Sequence, residues 1–153
     1  MLVLYAGYPA ALETLRELLA HWPGEAIPSR EESTDRWRRR GAALCRRVYG
    51  PVYPRLVRTV RALHPDLAVW MEEQGYGRVL ARPGLSPRLR ELVTVAVLAH
   101  TGWERQLVSH LLGARRTGAT AAEVRAASSL GASAGRRRAL VERAWRTAFP
   151  KTK

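Results

Sequence analysis

Residues 76–124 read YGRVLARPGLSPRLRELVTVAVLAHTGWERQLVSHLLGARRTGATAAEV. Ser86 followed by Pro87 is a helix start, because a serine hydroxyl can accept from a free N-terminal amide and proline loses nothing in the first turn. Gly102 is a stop. The next helix runs from about Trp103 and ends at Gly118, and Thr120 with Glu123 makes a capping box for the helix that follows. Leu92 to Ala99 is apolar on every side, which predicts a central, buried helix. Two consecutive helices therefore carry Glu91 and His110, and His110 points where Leu107 and Ala114 point, inward.

Outward from this stretch the punctuation stays helical, and no strand alternation appears. Pro9 leads a helix to about Leu19 that ends before Trp22-Pro23-Gly24, and Glu25 to Ser33 reads as a loop or linker. Thr34 or Asp35 caps a very basic helix to about Tyr49, stopped by Gly50-Pro51. Further helices are expected over Val52–Leu63, from Pro65 through Trp70, and from about Arg137 to Ala148. The expectation is an all-α chain of seven or eight helices. It forms one domain over 1–153, organised as an N-terminal helix (1–24), a basic helical arm (34–75), a core (76–130) and a C-terminal helix (136–148).

The 153 residues suffice for one packed core and not for two ordinary ones. No apolar run approaches the ~18 residues of a membrane span, and the opening MLVLYAGYPAAL has no basic leader, so the expected location is the cytoplasm. Cys45 is the one cysteine, which leaves no partner for a disulfide or a CxxC couple and reads as a small apolar helix residue. The formal charge of +13 comes almost wholly from arginine, since only Lys151 and Lys153 are lysines. That skew suggests a GC-rich genome, and the scarcity of asparagine and glutamine suggests a thermophile. A positive field of this size concentrates anions, whether nucleic acid, an acidic membrane or a small carboxylate.

Trp103, Gln106, Leu107, His110 and Ala114 share one helical stripe. A buried carboxylate can orient an imidazole and stabilise its protonated form, so Glu91 and His110 are each candidates for acid–base work. The competing reading has Glu91 complementing its helix dipole or pairing with Arg88 or Arg90, and His110 as a satisfied core histidine. Gln106 is a candidate hydrogen-bond partner for a substrate carboxylate or carbonyl and Trp103 a candidate pocket wall, though both also read as packing.

The stretch resembles the core of the carboxymuconolactone decarboxylase and alkyl hydroperoxidase D family. RPGL, REL, the spacing from Gly102 to His110 and GAT-x-x-E occur in that family's order. Its peroxidase branch has an acid, a CxxC and a histidine. Counted from Glu91, the cysteine positions fall on Trp103 and Gln106 and the histidine on His110, so the resemblance implies that thiol peroxidase chemistry is absent while proton transfer remains. The implied function is a cofactor-independent lyase, or a related proton-transfer enzyme, on a small anionic carboxylated or carbonyl substrate. The implied fold is alkyl hydroperoxidase D-like and the implied assembly a homo-oligomer, trimer or hexamer. The resemblance also places Tyr76, Arg78 and Arg82 near the pocket or a subunit contact, with Arg82 a candidate carboxylate clamp. Tyr5 to Leu18 resembles a segment that family members carry after the GAT-x-x-E helix, which implies a circular permutation, and Gly7, Tyr8 and Pro9 resemble its helix-opening turn. The helix starting near Tyr8 is then expected to close the pocket over Glu91 and His110.

Arg36, Arg38, Arg39, Arg40, Arg46 and Arg47, with Trp37 among them, and Arg136 to Arg138 make a second constellation. Arginines with an interleaved aromatic suit phosphates and bases, so a nucleic-acid-binding module is an alternative reading. No helix-turn-helix or other recognition motif accompanies the charge. A solvated face, paired in part with Glu31 and Glu32, is the plainer one, and a non-enzymatic member of the same fold is the third.

Overall fold

Every helix start that the sequence marks with a capping residue is found near its place in a computed structural model, which describes residues 1–24, 31–132 and 135–150. The helices are α1 (Leu2–His21), α2 (Thr34–Tyr49), α3 (Tyr53–Leu63), α4 (Pro65–Trp70), α5 (Pro87–Thr101), α6 (Glu104–Arg116), α7 (Ala121–Gly131) and α8 (Gly135–Ala148). No strand occurs among the described residues, and the fold is all-α. Ser86 caps α5 by accepting from the Leu89 amide, Gly102 ends it in the left-handed conformation, and Thr120 and Glu123 complete both halves of the capping box of α7. Among the described residues no helix is long and apolar enough to cross a membrane.

Three details differ from the expectations. Ser33, not Thr34 or Asp35, caps α2. The chain is helical from Leu2, and the turn expected before Pro9 is a break inside α1 at Gly7, whose φ of 77° is a conformation that side chains disfavour. Met71–Leu80 continues from α4 as a π-helix, so the expected division at 75/76 falls inside a helical segment. Of the expected loop at 25–33, residues 25–30 lie outside the described residues, as do Lys151 and Lys153.

Two apolar clusters fill the interior. Val95, Leu98 and Ala99 of α5, Leu107, Leu111 and Ala114 of α6, Val124 of α7 and Val141 and Ala144 of α8 form the larger. Leu44, Cys45, Val48 and Tyr49 of α2 pack with Tyr53, Tyr76 and Leu80 in the smaller. In the smaller, α2 and the π-helix touch backbone to backbone. A β-carbon on Gly41 would stand 1.8 Å from the Glu72 carbonyl oxygen, and one on Gly77 2.1 Å from that of Trp37. Larger residues at these positions would force the two helices apart.

Candidate active site

Where the two clusters meet, α5 and α6 bring Glu91 and His110 together. Glu91 Oε2 and His110 Nδ1 are 2.8 Å apart, with the residues 2% and 4% exposed. A carboxylate can only accept, so an ionised Glu91 requires the hydrogen on Nδ1 and leaves Nε2 as the nitrogen available for proton exchange. Nε2 makes no hydrogen bond to the described residues. The alternative partners of Glu91 are engaged elsewhere. Arg88 pairs with Glu123, while buried Arg90 donates to the carbonyls of Arg82, Pro83 and Leu85 and so ties down the loop before α5.

The pair fits because of a glycine one turn along α6. A β-carbon on Gly113 would stand 2.6 Å from Glu91 Oε2 and 2.6 Å from a Val48 methyl, so the carboxylate and α2 share the space its missing side chain leaves.

Two tyrosine rings frame the imidazole. Tyr5, just before the Gly7 break, stands edge-on at 6.5 Å between centroids, and its hydroxyl lies 3.2 Å from Thr94 Oγ1 on α5. Tyr49, at the end of α2, approaches at 6.0 Å, and its oxygen accepts a 2.7 Å hydrogen bond from Tyr76. Burial holds all three phenols well above the ordinary tyrosine range, so they remain neutral donors at physiological pH. Burial, followed by the negative charges of Glu72 and Glu91, likewise pushes the Cys45 thiol up and away from a reactive thiolate.

The expected substrate residues are not gathered here. Trp103 precedes the first turn of α6 and is 59% exposed, and Gln106 is also on the surface. Only Leu107, His110 and Ala114 of the shared stripe turn inward. Tyr76 reaches the pair through Tyr49, and Arg82 is exposed on the loop that Arg90 secures. Tyr8 is 74% exposed, so the helix it opens does not cover the pair. A groove of about 270 Å³ between α2, α3 and α6, lined by Tyr49, Val52, Arg55, Leu56, Thr59 and Ser109, lies one side chain from the imidazole. Sequence reading missed Tyr5, Tyr49 and Gly113. A glycine inside a good helix, three positions from a candidate histidine, was the signal for the last.

The basic arm is largely self-paired. Glu32 accepts from Arg40 and from the Trp37 indole and forms an ion pair with Arg36, and this holds its carboxyl below the usual range. Arg38 binds Glu73, Arg47 reaches the Thr117 carbonyl, Arg46 stacks over Tyr53, and Arg78 covers the Trp37 ring at 4.9 Å. Trp37, the aromatic of the nucleic-acid reading, is therefore occupied by this chain's own residues.

The carboxymuconolactone decarboxylase family model matches residues 65–148, a span that includes both Glu91 and His110. Among curated proteins, Peroxisomal protein 2 of Schizosaccharomyces pombe (strain 972 / ATCC 24843) is 30% identical over 129 residues. That alignment takes in 81% of this chain and 60% of the relative, so the chain spans about 60% of the length of the curated relative it matches.

Proposed function

Because the chain belongs to the carboxymuconolactone decarboxylase family, we propose that it is a cofactor-independent lyase or related proton-transfer enzyme acting on a small carboxylated or carbonyl compound. The observation that carries this reading is the 2.8 Å contact between Glu91 and Nδ1 of His110, which leaves Nε2 to exchange a proton with substrate. Glu91 is the positioning residue: it fixes the ring and balances the charge that forms when the ring is protonated. The groove beside Tyr49 supports a route to the site, with Arg55 at its edge as a clamp for the substrate carboxylate. Trp103, Gln106 and Arg82, all exposed, enter this reading as residues that a neighbouring copy in a trimer or hexamer would bring over the site, whereas buried Tyr76 acts through Tyr49 of its own chain. The net charge of +13 favours an anionic substrate, and the reading places the protein in the cytoplasm. With its lone thiol buried and Trp103 and Gln106 at the cysteine positions, it is not a thiol peroxidase. The circular permutation belongs to the same proposal, and the family match, beginning at residue 65, leaves α1 outside it.

The second reading, a non-enzymatic member of the fold, is favoured by one observation: neither the groove beside Tyr49 nor a cavity between α7 and α8, lined by Leu130, Arg138 and Glu142 among others, is lined by Glu91 or His110. Nitrogen-resolved NMR of the imidazole separates the two. Small lactone and keto carboxylates are titrated into the protein, and the active reading expects at least one to move the His110 ring resonances and to undergo turnover that His110→Ala lacks. If no compound of this class perturbs the ring, the non-enzymatic reading takes its place.

A further inference from the structure

Beyond Gly7, α1 leaves the body of the protein. From Tyr8 to Gly24 every residue except Ala11 is exposed, although the segment is rich in large apolar side chains. Tyr8 and Trp22 are 74% and 75% exposed, and Leu12, Leu15, Leu18 and Leu19 between 47% and 60%. An isolated helix of this length is marginal in water, so a covering surface is required to keep it folded.

The pattern of the apolar residues identifies that surface. Tyr8, Leu12, Leu15, Leu19 and Trp22 recur at alternating steps of four and three, the spacing of a helix-pairing seam. The set is also symmetric about Leu15: Tyr8 mirrors Trp22, Ala11 mirrors Leu19, and Leu12 mirrors Leu18. At about 100° per residue all seven lie within about 60° of the Leu15 direction, while Glu13 and Glu17 fall on the far side. Two such helices running antiparallel about a two-fold axis through Leu15 bring apolar residue against apolar residue along their whole length. That is the self-complementarity an isologous contact needs. Taking about 150–250 Å² for a whole aromatic side chain and somewhat less for a leucine, of which about half to three quarters is exposed here, the stripe presents on the order of 600 Å² per copy. A pair then buries about 1,200 Å², the lower bound of a specific interface. The polar face bears Glu13, Glu17 and Arg16, not the lysine- and arginine-rich face that suits an anionic membrane surface.

The geometry points to a second copy of this chain as the occupant: α1 pairs antiparallel with α1 of another protomer, centred on Leu15. This contact goes beyond the enzymatic reading and stands without it.

Light scattering on the full chain at micromolar concentration tests it. The expected mass is at least twice 17.1 kDa. Leu15→Glu, a change at an exposed position, halves that mass and leaves the remaining chain folded by circular dichroism. Leu15→Cys forms a disulfide-linked dimer on mild oxidation, because the axis places position 15 beside itself and Cys45 is buried. Glu13→Cys, on the outer face, does not. A wild-type mass of one chain overturns the proposal, as does a mass that Leu15→Glu leaves unchanged. Equal cross-linking of Leu15→Cys and Glu13→Cys also overturns it.

Discussion

Glu91 reaches His110 through the space that Gly113 leaves empty: a β-carbon at position 113 would stand 2.6 Å from Oε2 of the carboxylate. Glycine inside a helix ordinarily costs up to about 1 kcal/mol relative to alanine, so Gly113→Ala would stabilise an unconstrained helix. Here the new methyl meets a buried carboxylate on one side and a Val48 methyl on the other, and overpacking of this kind costs about 1–3 kcal/mol. Gly113→Ala is therefore expected to lower stability in urea unfolding and to displace the His110 ring resonances. A stabilised variant with an unmoved ring would remove Gly113 from the site.

His110 and Glu91 differ in what their replacement should do. Once a substrate is known, His110→Ala is expected to lower kcat by about a hundredfold to ten-thousandfold, the range for losing a general acid or base. Glu91→Gln keeps an oxygen that can accept from Nδ1 but no longer balances charge on the ring. It should lower kcat with little change in KM, while Glu91→Leu also leaves the ring N–H unpartnered and costs a further ~1–3 kcal/mol of stability. Steady-state kinetics on the three variants, with chemical unfolding alongside, check this. Equal stability losses in Glu91→Gln and Glu91→Leu would mean that the hydrogen bond does not hold the ring.

Much of this framework was legible in the chain because helix ends are local chemistry. Ser86-Pro87, Gly102 and the Thr120–Glu123 box act within a few residues, and each stands where its chemistry requires. The approach of Glu91 to His110 came from the family resemblance; the patterning of the two helices showed only that His110 turns inward, and it left Glu91 open to Arg88 or Arg90. The stripe of α6 was misleading at its start, since periodicity gives an angle around a helix and not whether a neighbour covers that angle. Gln106 and His110 share a direction, yet one is exposed and the other buried. The π-helix at Met71–Leu80 leaves no trace in a pattern read with a period of 3.6, and the contacts of Tyr5 and Tyr49 with the imidazole join segments far apart in sequence. Only the resemblance drew attention to the segment that holds Tyr5.

Cys45 should be inert in the folded protein. It has no exposed surface, and its thiol is pushed up by burial and by neighbouring carboxylates. Native protein is expected to resist alkylation by iodoacetamide near neutral pH and to label once unfolded in guanidinium. No dithiol-dependent peroxide turnover should be observed, and Cys45→Ala should retain the fold with a modest loss of packing. Sustained hydroperoxide reduction that disappears in Cys45→Ala would contradict the whole account of this thiol.

Stability should fall at both ends of the pH scale, for opposite reasons. Glu123 is held below the usual carboxylate range first by the Thr120 amide, then by its hydroxyl and Arg88, and Glu32 is held down chiefly by Arg40. In the unfolded chain both take up protons near about pH 4.3, before the folded forms do. Their contribution is therefore present above that pH and is lost as pH falls through the lower folded values. Tyr5, Tyr49 and Tyr76 are shifted the other way by burial. Unfolded tyrosines release protons near about pH 10 while the folded ones retain theirs, so the unfolded state gains and stability declines as pH rises above that point. Urea midpoints measured across pH should trace both limbs. Glu123→Gln should flatten the acid limb and leave the alkaline one, whereas Tyr49→Phe should flatten only the alkaline limb. If Tyr49→Phe left the alkaline limb as steep as before, the buried tyrosines would not be its source.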